Sequence, residues 1–411
     1  MSNRRMTLHE DMNAGCPSRE LPDKQILRVG WLIDGQGGPI AADQVVVVHR
    51  GRIQSIAPWH PVRFGMTDYV DLTGATLMPA LMDAHVHLAF SGTLDETRRQ
   101  AQLQQTPGQT EKAVLMHLQA HLDNGIGAVR DAGDRSGRVL EIKGRQQTPL
   151  HLAATCWAWH APGRYGAMIG QAPNSGKSLS QAVAAACRGV DHIKLIQSGI
   201  NSLDDFGRPT APQFSQAELI AVRQFAASRG LPVMVHANGR EAVQSALAAG
   251  CDSIEHGYFM GPDNLLRMAD QQVFWVPTLA PMAALSQLGC LTSQQTAVAR
   301  RTLDHQMEQI AAAGRFGVRI ALGTDAGSLG VDHGAAVRLE IALLMAAGLS
   351  LPQAVQCATW NASELLGLAG RGALITGCSA DMVAVHGSPE QLPENLAGIQ
   401  GLCIRGRWYK K

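Results

Sequence analysis

The sequence predicts an α/β protein: a (β/α)₈ barrel of the TIM type with a small β-sandwich domain built from both termini. Three observations lead there. Eight short apolar segments recur along the middle of the chain, with helical stretches between most of them. Both ends carry short Val- and Ile-rich segments separated by turn residues. The first central strand is not followed by the glycine-rich phosphate loop that a doubly wound sheet would want.

Residues 1–24 are polar and mixed in charge and read as a loose tail. Ile26–Ile33, the turn Asp34–Gly38, Gln44–His49 and Ile53–Ile56 then form a strand-turn-strand pattern. Ala380–Val385, Ile399–Ile404 and Arg405–Tyr409 repeat that character at the other end. The expected β-sandwich is therefore 25–78 plus 369–411, and the barrel is 79–368. Its first strand is the apolar run Ala75–Met82, leading into Asp83-Ala84-His85-Val86-His87. The others are Ala128–Asp131, Leu150–Cys156, His192–Gln197, Pro232–His236, Ser253–His256, Val273–Val276 and Val318–Gly323. Ser215 and Glu218 have capping-box spacing ahead of Leu219, Val222 and Ala226, and Gly230 closes that helix. Gly250 ends the next one in the same way. In such a barrel the active site lies at the C-terminal ends of the strands.

Composition narrows the function classes. The chain has 411 residues, 45% of them hydrophobic and 17% charged, which is globular and long enough for a large core. Its net charge is +1 with no long basic run, which argues against nucleic acid as a partner. No run of eighteen apolar residues suggests a membrane span. The N-terminal stretch has no apolar signal core, and the eight Cys contain no Cys-x-x-Cys pair. Together these lead us to expect a cytoplasmic protein with free thiols and a small-molecule partner; a homo-oligomer is compatible with the sequence.

His85 and His87 stand two apart at a strand end. Their side chains therefore share a face, about 6–7 Å apart along the backbone, and can grip one metal ion. Further metal-ligand types end other strands: His236, His256 and Asp325. Lys194 lies within the apolar strand Ile193–Leu195, where an unpaired ammonium is costly to bury. Taken singly, each histidine or aspartate is equally a solvated strand-end residue, and the lysine equally a snorkelling one. Together, at successive strand ends, they converge on one point, and histidine and aspartate are ligands that zinc-like metals accept. His192 reads as a hydrogen-bonded core histidine, and His117, His121, His151 and His305 as structural or solvated.

At these residues the chain resembles the amidohydrolase superfamily, in its imidazolonepropionase-like and prolidase-like branch. The matching pieces are His85-Val86-His87, Val129-Arg130-Asp131-Ala132-Gly133, Ile193–Gly199, His236, Ser253–Gly257, Gly323–Gly327, His333-Gly334 and Ser379–Val383. The resemblance implies a metal-dependent hydrolase with two divalent ions, expected to be zinc. It implies that Lys194 is carboxylated and bridges them, with His85, His87 and Asp325 on one ion and His236 and His256 on the other. A shared hydroxide would attack the scissile carbonyl. Asp325 would serve as general base and then acid.

The chain departs from the pattern near the substrate. Ile200 stands where a second glycine is common, Ala237-Asn238-Gly239 follows His236, and the loop Trp157–Gly166 is bulky and aromatic. His160, Arg164, Tyr165, Tyr258 and His333 are the substrate-contact candidates. Arg164 is cast as an anchor for a carboxylate, and Trp157 and Trp159 as wall or filling. The expected reaction is hydrolysis of an amide C–N bond in an N-acyl amino acid, dipeptide or cyclic amide. The competing readings are a one-metal cyclic-amide hydrolase or deaminase, which has no need of Lys194, and a non-catalytic metal-binding protein.

Overall fold

The computed structural model describes residues 5–6, 23–64, 68–145 and 148–409. The expected tail therefore lies outside the described residues apart from Arg5, Met6, Asp23 and Lys24. Strands β1 (Arg5–Met6), β2 (Lys24–Leu32), β3 (Ala41–His49), β4 (Arg52–Pro58) and β5 (Tyr69–Pro79) come from the N-terminal part. The central strands are β6 (Leu81–Val86), β7 (Ile126–Asp131), β8 (His151–Ala154), β9 (Ala158–Trp159), β10 (Gly170–Gln171), β11 (Ile193–Ile196), β12 (Val233–Ala237), β13 (Ser253–His256) and β14 (Phe274–Val276). The C-terminal part supplies β15 (Met382–His386), β16 (Ile399–Ile404) and β17 (Arg407–Tyr409).

Strands from both ends share one sheet, in the order β17-β16-β15-β5-β2-β3-β4 with β1 beside β5. Its core is built from alternating residues of distant strands, Leu27, Val29, Val46, Val48, Leu72, Leu77, Met382 and Ala384 among them. One correction concerns the run Ala75–Met82, which is not one strand. It changes sheets at Pro79–Ala80: Met382 pairs with Pro79, whereas Leu81 pairs with Ile126. Both halves are apolar because each is buried in its own sheet, so hydropathy alone shows no break.

The central strands pair in parallel, and helices lie between most of them. They form a three-stranded sheet β6-β7-β8 and a six-stranded sheet β10-β9-β11-β12-β13-β14. The strand expected over Leu150–Cys156 is interrupted: β8 ends at Ala154 and β9 resumes at Ala158. The Asp191 N–H bonds the Ala154 carbonyl at 2.9 Å, linking the two sheets there. The last expected strand, Val318–Gly323, appears as one isolated bridge, Trp275 to Ile320, with a second just beyond it, Val86 to Ala326. Its backbone bonds both neighbours, Trp275 N–H to Arg319 O and Ala84 N–H to Leu322 O, each at 2.9 Å. A regular side chain at Gly323 would not fit: a Cβ there would stand 2.4 Å from Val276 and 2.8 Å from the His85 Cβ.

The helix Gln216–Ser228 starts with the predicted reciprocal cap: the Glu218 N–H donates to the Ser215 hydroxyl, and the Ser215 N–H donates to the Glu218 carboxylate. Its buried residues are Leu219, Val222 and Ala226, the predicted stripe. Fully burying a Leu or Val side chain stabilises by about 1.5–3 kcal/mol, which fixes which face meets the sheet. The described cysteines are all free, and among the described residues no helix is long and apolar enough to cross a membrane.

Candidate metal centre

The central strand ends surround a cavity of about 300 Å³. Its walls include His85, His87, Lys194, His236, His256 and Asp325, so all six expected ligands meet there. His85, His87 and Asp325 form the tightest group, with ligand atoms within 4.8 Å of one another. Asp325 Oδ1 is 3.4 Å from His85 Nε2 and 3.5 Å from His87 Nε2. His236 and His256 fall outside that group but stand beside it. Their ring centroids are 4.5 Å apart, and that of His256 is 5.0 Å from His85.

In each imidazole the protein holds one nitrogen and leaves the other for a ligand. The His87 Nδ1–H donates to the Gly133 carbonyl at 3.0 Å. Gly133 has φ +100°, and a Cβ there would lie 2.9 Å from the Ala158 nitrogen, so glycine is needed for that carbonyl to be presented. The His85 Nδ1–H donates to Glu255 at 2.7 Å. The Thr278 hydroxyl donates to the Pro277 carbonyl, so its oxygen accepts from His256 Nδ1 at 2.7 Å. His236 is held through Nε2, against the Gly199 carbonyl at 3.2 Å. Burial pulls the imidazoles down, His87 to about 4 and His236 to about 3, which keeps them neutral as ligation requires.

Two ligand candidates owe their position to unusual backbone. His256 follows Glu255, and strict alternation would turn the two side chains to opposite faces. Both nevertheless meet His85, because His256 is left-handed at φ 68°. Asp325 is left-handed as well, at φ 56°. Such conformations in non-glycine residues concentrate at functional sites.

The Lys194 Nζ is buried and has no hydrogen-bond partner among the described residues. Burial pulls it down to about 8 and pushes the Asp325 carboxyl up to about 7. The donor set of neutral imidazoles, one carboxylate and one orphaned amine therefore fits divalent cations.

The substrate candidates divide. Tyr165 and Tyr258 line the cavity, and the Tyr258 hydroxyl donates to the Thr278 carbonyl at 3.4 Å. His160, Arg164 and His333 are not among its wall residues. Arg164 is exposed and its guanidinium donates to the Ala211 carbonyl at 2.8 Å, so it is engaged outside the cavity. His160 bonds the Ala161 carbonyl, and His333 bonds the Phe90 carbonyl at 2.7 Å and stacks on His117. Trp157 and Trp159 line a separate depression with Lys177 and Ala186. His192 is buried against the Asp131 backbone, in keeping with a core histidine.

Sequence reasoning missed the residues that hold the ligands. Glu255 accepts from His85 on one oxygen, and on the other from Arg130 at 2.9 Å and the Ser253 hydroxyl at 2.5 Å. Asp83 accepts the Thr324 N–H at 3.0 Å, the Thr324 hydroxyl at 2.6 Å and the His85 N–H at 3.2 Å, joining the two ligand-bearing segments. Arg130, Glu255 and Asp83 are charged residues in apolar strands, the same anomaly that singled out Lys194.

The Amidohydrolase family matches residues 76–408, and the chain belongs to that family. It is a hydrolase acting on carbon–nitrogen bonds. An uncharacterised protein of Mycobacterium tuberculosis is 28% identical over 345 residues, covering 82% of this chain and 86% of that one. Imidazolonepropionase of Pseudomonas putida is 27% identical over 399 residues, 88% and 91% of the two chains. The crystal structure of a Xaa-Pro dipeptidase with bound methionine in the active site superposes with a TM-score of 0.79. It is 26% identical and covers 94% of this chain and all of its own. The mixed α/β fold thus matches the TIM-barrel type of amidohydrolase structures.

Proposed function

We propose that the protein hydrolyses an amide bond of a small substrate, an N-acyl amino acid, dipeptide or cyclic amide, at a centre of two divalent ions. The observation that carries this is the buried, unpartnered Lys194 Nζ sharing one cavity wall with four neutral imidazoles and Asp325. A (β/α)₈ barrel over 79–368, with a β unit from 25–78 and 369–411, presents these residues. His85, His87 and Asp325 would hold one ion, expected to be zinc, and His236 and His256 the other. Lys194, after its amine adds CO₂ and releases a proton, would bridge them as a carbamate anion, which removes the cost of a buried ammonium. When bound, the ions lower the pKa of a coordinated water and polarise the scissile carbonyl.

This chain's own groups do the rest. Ser328 donates to Asp325 Oδ2 at 2.9 Å and fixes the carboxylate. Asp325 takes the proton of the attacking water and delivers it to the leaving nitrogen. Tyr165, on the cavity wall, would donate to the developing oxyanion, and Tyr258 would do so only by releasing the Thr278 carbonyl. The apolar wall, with Phe90, Ile169 and Met282, excludes water around the bond.

A second reading is a one-metal cyclic-amide hydrolase or deaminase of the imidazolonepropionase type. It is favoured by the tight group being only His85, His87 and Asp325 among the described residues. It leaves Lys194 without a task. The test is a panel of N-acyl amino acids, dipeptides and cyclic amides, assayed with the zinc-loaded protein for amine release. Turnover of linear amides that Lys194→Ala abolishes supports the two-ion reading. Turnover of cyclic substrates alone, unaffected by that substitution, supports the other.

A further inference from the structure

Two side chains of the cavity wall outside the candidate ligand set carry hydrogen-bond donors without a proper partner among the described residues. Arg99 lies on the short helix Glu96–Gln102, in the connection that follows β6. Among the described residues it is the only arginine of the cavity walls. The one hydrogen bond of its guanidinium among the described residues runs to the Thr93 carbonyl at 3.5 Å, the outer limit for such a bond. The helix's own carboxylates are engaged elsewhere: Asp95 accepts the Arg98 N–H and pairs with the Arg98 guanidinium, and Glu96 accepts from Gln100. Asn201, in the connection after β11, lines the same cavity, and its Nδ2 is buried with no partner among the described residues.

The helix is held in place from outside. The Ser91 N–H donates to Gln102 Oε1 at 2.9 Å and Gln102 Nε2 donates back to the Ser91 hydroxyl at 2.7 Å. The Gly330 N–H bonds the Gly92 carbonyl at 2.8 Å, next to the wall residues Ser328 and Leu329. The walls also include apolar residues, of which Met168 and Ile200 remain 47% and 60% exposed.

We propose that Arg99 and Asn201 together hold a free carboxylate of the substrate, and that Met168 and Ile200 cover an apolar side chain beside it. This deepens, and rests on, the amide-hydrolase reading. It selects N-acyl amino acids and dipeptides with apolar residues over cyclic or neutral amides. Arginine meets a carboxylate through two parallel N–H bonds, and a carboxamide N–H adds a third donor. A neutral amide in that position would return only part of these bonds. Arg99 takes the role that the sequence assigned to Arg164.

The test is calorimetric titration of the zinc-loaded protein with N-acetyl-L-methionine and with its carboxamide, with amine release followed in the same samples. The wild type is expected to bind the acid more tightly than the amide. Arg99→Met should weaken the acid by about 10- to 100-fold, the range of a lost charge-assisted contact, and leave the amide unchanged. Arg99→Lys should recover part of the loss, and Asn201→Ala should show a smaller loss in the same direction. The helix buries none of its residues, so these Arg99 variants are expected to fold. Equal losses on acid and amide, no loss on either, or a wild type indifferent between them would overturn the proposal. An acid preference that Arg99→Met removes, with no hydrolysis across the substrate panel, would support Arg99 and count against the hydrolase reading instead.

Discussion

Glu255→Gln perturbs the metal centre without touching a ligand. In the folded chain Glu255, Arg130 and His85 are each at most 3% exposed. Both carboxylate oxygens are used: one accepts from His85 Nδ1 at 2.7 Å, the other from Arg130 at 2.9 Å and Ser253 at 2.5 Å. A carboxamide has one oxygen and one NH₂, so it can satisfy only one side. If its oxygen faces Arg130, the NH₂ meets His85 Nδ1 and turns that nitrogen into an acceptor. The imidazole proton then moves to Nε2, the nitrogen 3.4 Å from Asp325, and His85 can no longer ligate. Losing such an outer partner lowers metal affinity by about 10- to 100-fold. If the oxygen faces His85 instead, the buried Arg130 is left uncompensated, at a cost of about 3–5 kcal/mol. Zinc competition with a chromogenic chelator reads the first outcome, and urea unfolding of the same protein reads the second. A Gln variant with wild-type zinc affinity and wild-type stability would refute the reasoning for both.

Asp325→Asn keeps an oxygen ligand but cannot carry the proton. It should lower kcat on the best amide by about 10²–10⁴-fold with little change in KM, and a rate within a few-fold of wild type would remove the assigned role. Short carboxylic acids should partly restore turnover to Lys194→Ala by standing in for the carbamate, as a titration of rate against added formate or propionate would register. Glu340 is buried and accepts the Leu279 and Ala280 N–H groups, both at 2.8 Å, at the start of the helix Ala280–Leu285. Glu340→Gln leaves one of those donors facing an NH₂ and should reduce unfolding free energy by about 1–3 kcal/mol in urea melts.

The six candidate ligands, which meet at one cavity, were legible because each breaks the grammar of its strand. A His-x-His pair, a lysine between Ile193 and Leu195 and lone histidines at strand ends stand out against apolar runs. The supports were less visible. Glu255 adjoins His256, and period-two alternation forbids both from facing the same point, so only a left-handed residue could reconcile them. Backbone of that kind is expected at glycine, not histidine. The switch of sheets at Pro79–Ala80 was hidden because both halves of the run are buried. Arg99 could not be found at all: it sits on a solvated helix with no local pattern, and only the tertiary fold brings it to the cavity. Arg164 drew notice through flanking glycines and an aromatic neighbour, yet Ala211, 47 residues away in sequence, accepts its hydrogen bond.

The central claim is a two-ion centre organised by Lys194. Metal content per chain, measured by plasma mass spectrometry on wild-type and Lys194→Ala protein purified in zinc and bicarbonate, tests it most directly. Two ions per wild-type chain, falling to one or none in the variant, is the predicted result. One ion in both proteins, or two in both, would contradict it.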